Sequence, residues 1–189
     1  MRKKEGTFLV AATVIFSITT ILILITYVVT LNIIRDEAEM ASDDLVSSEL
    51  AVYKDIDMPA MGKSGKLNLI KISKYEDAFK TFKRFLKNNF NLDENLTALN
   101  KANFIKGKLK IESFIIYNVI DDDVEKIEYK DGKFSTTKET NGRNGVVTPK
   151  GNLVENTTVY AKVSFDINTM FKKKKKVELE EETDILKEQ

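Results

Sequence analysis

The chain has 189 residues, with 30 Lys and Arg against 29 Asp and Glu, and it contains neither Cys nor His. A net charge of +1 is not the strongly basic field of a nucleic-acid binder, so nucleic acid is not an expected partner. The missing Cys and His exclude disulfides, Cys/His zinc sites and imidazole acid–base chemistry.

After Met1-Arg2-Lys3-Lys4-Glu5-Gly6 the chain runs from Thr7 to Ile34 without a charge, a Gly or a Pro. About 20 helical residues, rising about 1.5 Å each, cross a bilayer core, so this run spans with tilt to spare. It exceeds a secretory h-region of about 7–15 residues and no A-x-A site closes it, so it reads as a retained anchor. Basic residues precede the run, while Asp36, Glu37, Glu39, Asp43 and Asp44 follow it beside Arg35. Positive charge on the short side keeps that side in the cytoplasm. The expected organisation is a cytoplasmic basic tail (1–6), a transmembrane helix in contact with membrane lipid (7–34), an amphipathic extension of that helix (35–53) and an extracytoplasmic domain (54–189).

The extension follows from spacing. Leu31, Ile34, Ala38, Ala41, Leu45, Ser48 and Val52 advance by threes and fours, a helical seam, and the other faces carry Arg35, Asp36, Glu37, Asp43, Asp44 and Glu49. Such a seam either lies on its own domain or packs against a copy of itself or a partner. Its brevity and Ala content favour the first. Within the membrane run, Thr13, Ser17 and Thr20 share a face that suits helix–helix contact. The same hydroxyls also suit hydrogen bonds to their own backbone.

Residues 54–66, with Pro59, Gly62 and Gly65, read as a loop, and 67–72 as a short strand. Ser73-Lys74-Tyr75-Glu76 has the pattern of a capping box. Behind it Tyr75, Ala78, Phe79, Phe82, Leu86 and Phe90 form one helical face, with Lys80, Lys83, Arg84 and Lys87 opposite or flanking as a solvated basic face. Residues 93–108 read as irregular or as a short second helix. From Leu109 to Val119 the period becomes two, with both sides partly apolar, which predicts a strand near the centre of a sheet. Asp121-Asp122-Asp123 ends it. Those acids, like Asp55 and Asp57, lack the spacing of a calcium loop, so no metal site is expected. The runs 124–129 and 134–138 flank Lys130-Asp131-Gly132-Lys133, and Asp-Gly there predicts a hairpin. A polar loop fills 141–152. The next strand puts Thr157, Val159, Ala161, Val163, Phe165 and Ile167 on one face and Thr158, Tyr160, Lys162, Ser164 and Asp166 on the other. Lys172 to Lys176 reads as a solvated turn balanced by the following Glu residues. Val177 to Glu180 alternates again, and the acidic tail suits an edge strand guarded by its charges. The fold class is therefore α+β: a long N-terminal helix, one further amphipathic helix and a meandering antiparallel sheet of four to five strands.

The basic leader ending in Gly6, the uncharged helix, its amphipathic extension and the antiparallel sheet together resemble the type IV pilin superfamily, most of all its TadE-like pseudopilins. The resemblance covers the first 50 or so residues and the general architecture. It implies cleavage by a prepilin peptidase between Gly6 and Thr7, and partners among pilus-assembly proteins, including further copies of the chain. Pilins usually carry Glu as the fifth mature residue, whereas that position is Ala11 here. Helix–helix contact is expected at Thr13, Ser17, Thr20, Leu31, Ile34, Ala38, Ala41 and Leu45. No nucleophile, nucleotide-binding or zinc-hydrolase motif is present, so neither a catalytic residue nor a cofactor site is assigned. The expected function is structural, as a component of a pilus or secretion assembly. The alternative is an anchored extracytoplasmic enzyme or ligand-binding domain at the cell envelope. A deep pocket with converging carboxylates distinguishes the second from the first.

Overall fold

A computed structural model describes residues 2–56, 71–100, 103–142, 145–168 and 174–184, with side chains from Phe8 onward. The chain divides into two compact units, Met1–Met40 and Ala41–Gln189.

The first unit is a single helix. Helix α1, Arg2–Leu50, runs through it and on into the second unit. An 18-residue window of α1 has a mean hydropathy of 2.7 and none of it is buried, so the helix is long and apolar enough to cross a membrane. Its large side chains from Phe8 to Ile33 point outward on every side. An all-round apolar surface of this kind excludes packing as a one-sided surface helix.

The second unit is α+β. It begins with the last turns of α1 and a short 3-10 helix, Ala51–Asp55. Helix α2, Tyr75–Asn89, follows, then β1 (Lys106–Ile120), β2 (Asp123–Lys130), β3 (Lys133–Glu139), β4 (Thr158–Asn168) and β5 (Lys174–Asp184). All five strands form one antiparallel sheet in the order β3-β2-β1-β4-β5. β1 is the central strand, which is why both of its faces are apolar. Phe114 and Ile116 face the main core, whereas Ile115, Tyr117 and Val119 face a second cluster on the other side.

The main core lies between the sheet and the two helices. Ala41, Leu45 and Val52 of the α1 end enter it beside Ala78, Phe82, Leu86 and Phe90 from the α2 region and Val159, Ala161, Val163, Phe165 and Ile167 of β4. α2 covers the β1–β3 side through aromatic contacts. Phe79 lies 4.1 Å from Tyr129 and 5.7 Å from Phe134, and Phe82 lies 4.8 Å from Phe114, all between ring centroids. Such pairs add roughly 0.5–1.5 kcal/mol each beyond the area they bury.

The Asp-Gly hairpin forms as expected. Asp131 and Gly132 both have positive φ, 49° and 83°, and Lys130 pairs with Lys133 across the turn. β1 is longer than its apolar alternation, beginning at Lys106. Its register against β4 slips twice, and the first slip falls beside Gly107 at φ 87°, where a side chain would be strained.

Three expectations are corrected. The N-cap of α2 is Lys74, one residue beyond the Ser73 expected there. Of the two readings for 93–108, the irregular one holds at 93–100 and 103–105, where Asp93 accepts the amides of Asn95 and Thr97. Lys174, Lys175 and Lys176 belong to β5 and not to a turn, because an edge strand can send its charges to solvent. The 145–154 stretch is no open polar loop. Val147 bridges Leu153, and Val146 and Val154 pack on Tyr117 and Tyr160 over the second face of the sheet. Of the expected strand 67–72, only Lys71 and Ile72 are described, outside regular structure; the loop with Pro59, Gly62 and Gly65, together with Asp57, Lys172 and the tail beyond Asp184, lies outside the described residues. Ile72 is pinned through its backbone: its amide donates to Asn118 Oδ1 at 2.8 Å, and Asn118 Nδ2 donates back to its carbonyl at 3.2 Å.

Candidate functional site

The residues expected to mediate helix contact fall into two groups. Thr13 and Thr20 donate to the carbonyls of Leu9 and Phe16, both at 2.9 Å, so these hydroxyls are satisfied within the helix. Ser17 is exposed on the same helix. Gly6 and Thr7 lie in the first turns of α1. Ala11 lines a shallow apolar groove with Phe8, Ala12, Ile15, Phe16 and Thr19. Leu31 and Ala38 are exposed and Ile34 is half-buried. Ala41 and Leu45, by contrast, are buried in the chain's own core with Ser48 and Val52. From Ala41 on, the seam packs on its own domain.

That packing brings together a polar cluster. Asn89 of α2 donates to the Asp44 carbonyl at 3.2 Å and to Ser48 Oγ at 3.1 Å, and Ser48 Oγ donates to the same carbonyl at 2.7 Å. The hydroxyl of Tyr53 receives the Val159 amide at 3.2 Å and donates to the Thr183 carbonyl at 2.6 Å, tying the 3-10 helix to β4 and β5. Ser42 donates to Glu181, and Lys150 pairs with the other oxygen of Glu181 at 2.7 Å. Removing one partner from such a buried set leaves orphaned donors and acceptors. Tyr53→Phe is therefore expected to lower stability by about 1–3 kcal/mol, read from the denaturation midpoint.

Glu49 sits inside this cluster with 0% of its surface exposed. Neither carboxylate oxygen forms a hydrogen bond. Burial pushes the carboxyl up to about 9; the nearby Ala161 amide and Lys150 oppose the shift, and Glu181 and Glu182 add to it. Glu49 is thus a neutral acid at pH 7. Sequence reasoning placed it on a solvent face, and the structure corrects this. The signal was its position four residues after Leu45 and four before Tyr53, on the buried side of the helix. Burial of a carboxyl is tolerated here because a proton takes the place of a counter-ion.

The other acids singled out are committed or apart. Asp123 pairs with Lys138 at 2.8 Å and accepts the Asn141 amide. Asp55 has one buried oxygen without a hydrogen-bond partner. Among the described residues no group of three or more His, Cys, Asp or Glu is arranged to hold a metal ion. Lys176 contacts Glu178 at 3.6 Å and Glu112 at 3.5 Å, so its charge is shared within the sheet. On α2, Lys80 pairs with Asp77, and Lys87 with Glu94, while Lys83 and Arg84 are exposed. Compared with known proteins, the chain matches no family model, no curated protein and no solved structure.

Proposed function

We propose that the chain is a single-pass membrane protein that carries its α+β domain outside the cytoplasm and works by protein–protein contact, as a pilin-like component of a pilus or secretion assembly. The observation that carries the anchor is the exposed apolar helix, whose side chains from Phe8 to Ile33 have no apolar cover among the described residues. Orientation rests on Arg2, Lys3 and Lys4 before that helix and Asp36, Glu37 and Glu39 after it. The contact role is supported by a domain whose central strands β1 and β4 are packed on both faces by its own side chains. Prepilin-type processing in this reading falls between Gly6 and Thr7, and Ala11 in place of the usual Glu suits an accessory or tip subunit.

The test is accessibility. Protease added to intact, wall-stripped cells is expected to digest the domain and leave a membrane-embedded N-terminal fragment. A domain protected until the membrane is opened would reverse the orientation, and recovery of the whole chain without membranes would remove the anchor.

A further inference from the structure

The end of α1 sits on the sheet through a seam that is half polar. Leu45, Ser48, Glu49 and Val52 are all at 0% exposure. Ser48 has its hydrogen bonds, whereas Glu49 has none for either oxygen. The groups that face Glu49 come from four directions. β5 contributes Glu181 and Glu182, the 145–154 hairpin contributes Lys150, the 3-10 helix contributes Tyr53, and β4 contributes the Ala161 amide. Lys150, the cation of this set, is already held by Glu181. A carboxylate at this position would meet two further acids, and the Ala161 amide alone among these groups is a donor set against it that is not already paired with an acid.

We propose that Glu49 is a proton-operated latch: the 41–52 segment, the end of α1 with the first residues of the 3-10 helix, stays seated on β4 and β5 while Glu49 keeps its proton, and lifts off when it gives that proton up.

The direction in pH follows from the two states. Seated, the carboxyl ionises at about 9, and in water it returns to its ordinary value near 4.5. Lifting off therefore releases a proton throughout that interval. Seating is at full strength below the lower value, loses about tenfold in equilibrium constant per pH unit above it, and stops weakening above the upper one. The Tyr53 phenol is itself pushed upward by burial, so its bonds to β4 and β5 hold across this range. The latch is thus graded over the ordinary span of extracellular pH, and acid tightens it.

The experiment uses the full chain in neutral detergent micelles. Amide hydrogen exchange is followed at pH 6, 7 and 8 and corrected for the intrinsic pH dependence of exchange. Amides of 42–52 are expected to lose about 100-fold in protection from pH 6 to pH 8 relative to those of 114–119 in β1. In Glu49→Gln, which cannot ionise, that ratio is expected to stay flat. Glu49→Met, of similar length and also blind to pH, serves as a second flat control if the Gln variant does not fold. A flat wild-type profile overturns the proposal. So does loss of protection in 42–52 and β1 together, because Glu49 would then govern the stability of the whole domain and no separate latch would exist.

Discussion

Val163→Asp is expected to unfold the domain outright. Val163 is fully buried on β4, where it pairs with Ile111 of β1 on one side and Leu179 of β5 on the other, beneath the helices. A carboxylate placed there loses its water and gains no donor, since the neighbouring amides already serve the two ladders. The effective penalty is several kcal/mol per buried ion, and it adds to the lost packing of the valine. A domain of this size is stable by only about 5–15 kcal/mol in total. The expected readout is loss of the thermal transition in circular dichroism and rapid proteolysis of the micelle-bound chain. Thr137→Asp on exposed β3 is the matched control and should melt like the parent. A Val163→Asp chain that also melts like the parent would show that this face of β4 is not core.

Replacing Gly6 by Leu is expected to leave the chain uncut and heavier by residues 1–6. A prepilin peptidase must bring the backbone before the cut close to its own catalytic groups, and Gly offers no side chain to obstruct that approach. The wild-type protein, extracted from membranes of its own host, is expected to begin at Thr7. Intact mass or N-terminal sequencing decides it. A wild-type N-terminus at Met1 or Arg2 would sink the pilin-like reading and leave a plain anchor. Processing would also strip Arg2, Lys3 and Lys4, and with them the basic flank that sets orientation during insertion. In pilins the usual Glu pairs with a new α-amino group inside lipid, and Ala11 has no charge to do so. Cleavage without incorporation along a filament shaft is therefore the expected combination.

The parts of the fold that could be read from the sequence are those where one physical rule acts alone. β4 alternates because one face meets the helices. Asp131-Gly132 turns because both residues accept positive φ. The face of α2 repeats every three or four residues because α2 lies on one side of a sheet. The parts that escaped are those where two rules compete. Lys174 to Lys176 look like a turn, yet an edge strand needs only one covered face and tolerates charge on the rest. Ser73 and Glu76 have the spacing of a cap, but the helix starts one residue later. Val146 and Val154 sit among Gly, Pro and polar residues that mask their packing against Tyr117 and Tyr160. Glu49 was missed because a letter code cannot show a proton, and a charged residue at a seam position reads as solvent-facing until its neighbours are known.

The order of strands in space has a consequence for how the protein is made. The end of α1 and the 3-10 helix after it rest on β4 and β5, through Ser42 to Glu181 and through Tyr53 to Val159 and Thr183, although these partners lie far apart along the chain. Synthesis delivers the apolar helix first and its seat last. While the β1–β2–β3 meander can close on local turns, Ala41, Leu45 and Val52 have no β4 or β5 to cover them until nearly the whole polypeptide has emerged. A nascent or truncated chain lacking β5 thus presents a greasy helical stripe in continuation of its long apolar helix. That is the form in which a chaperone or a premature neighbour would meet it.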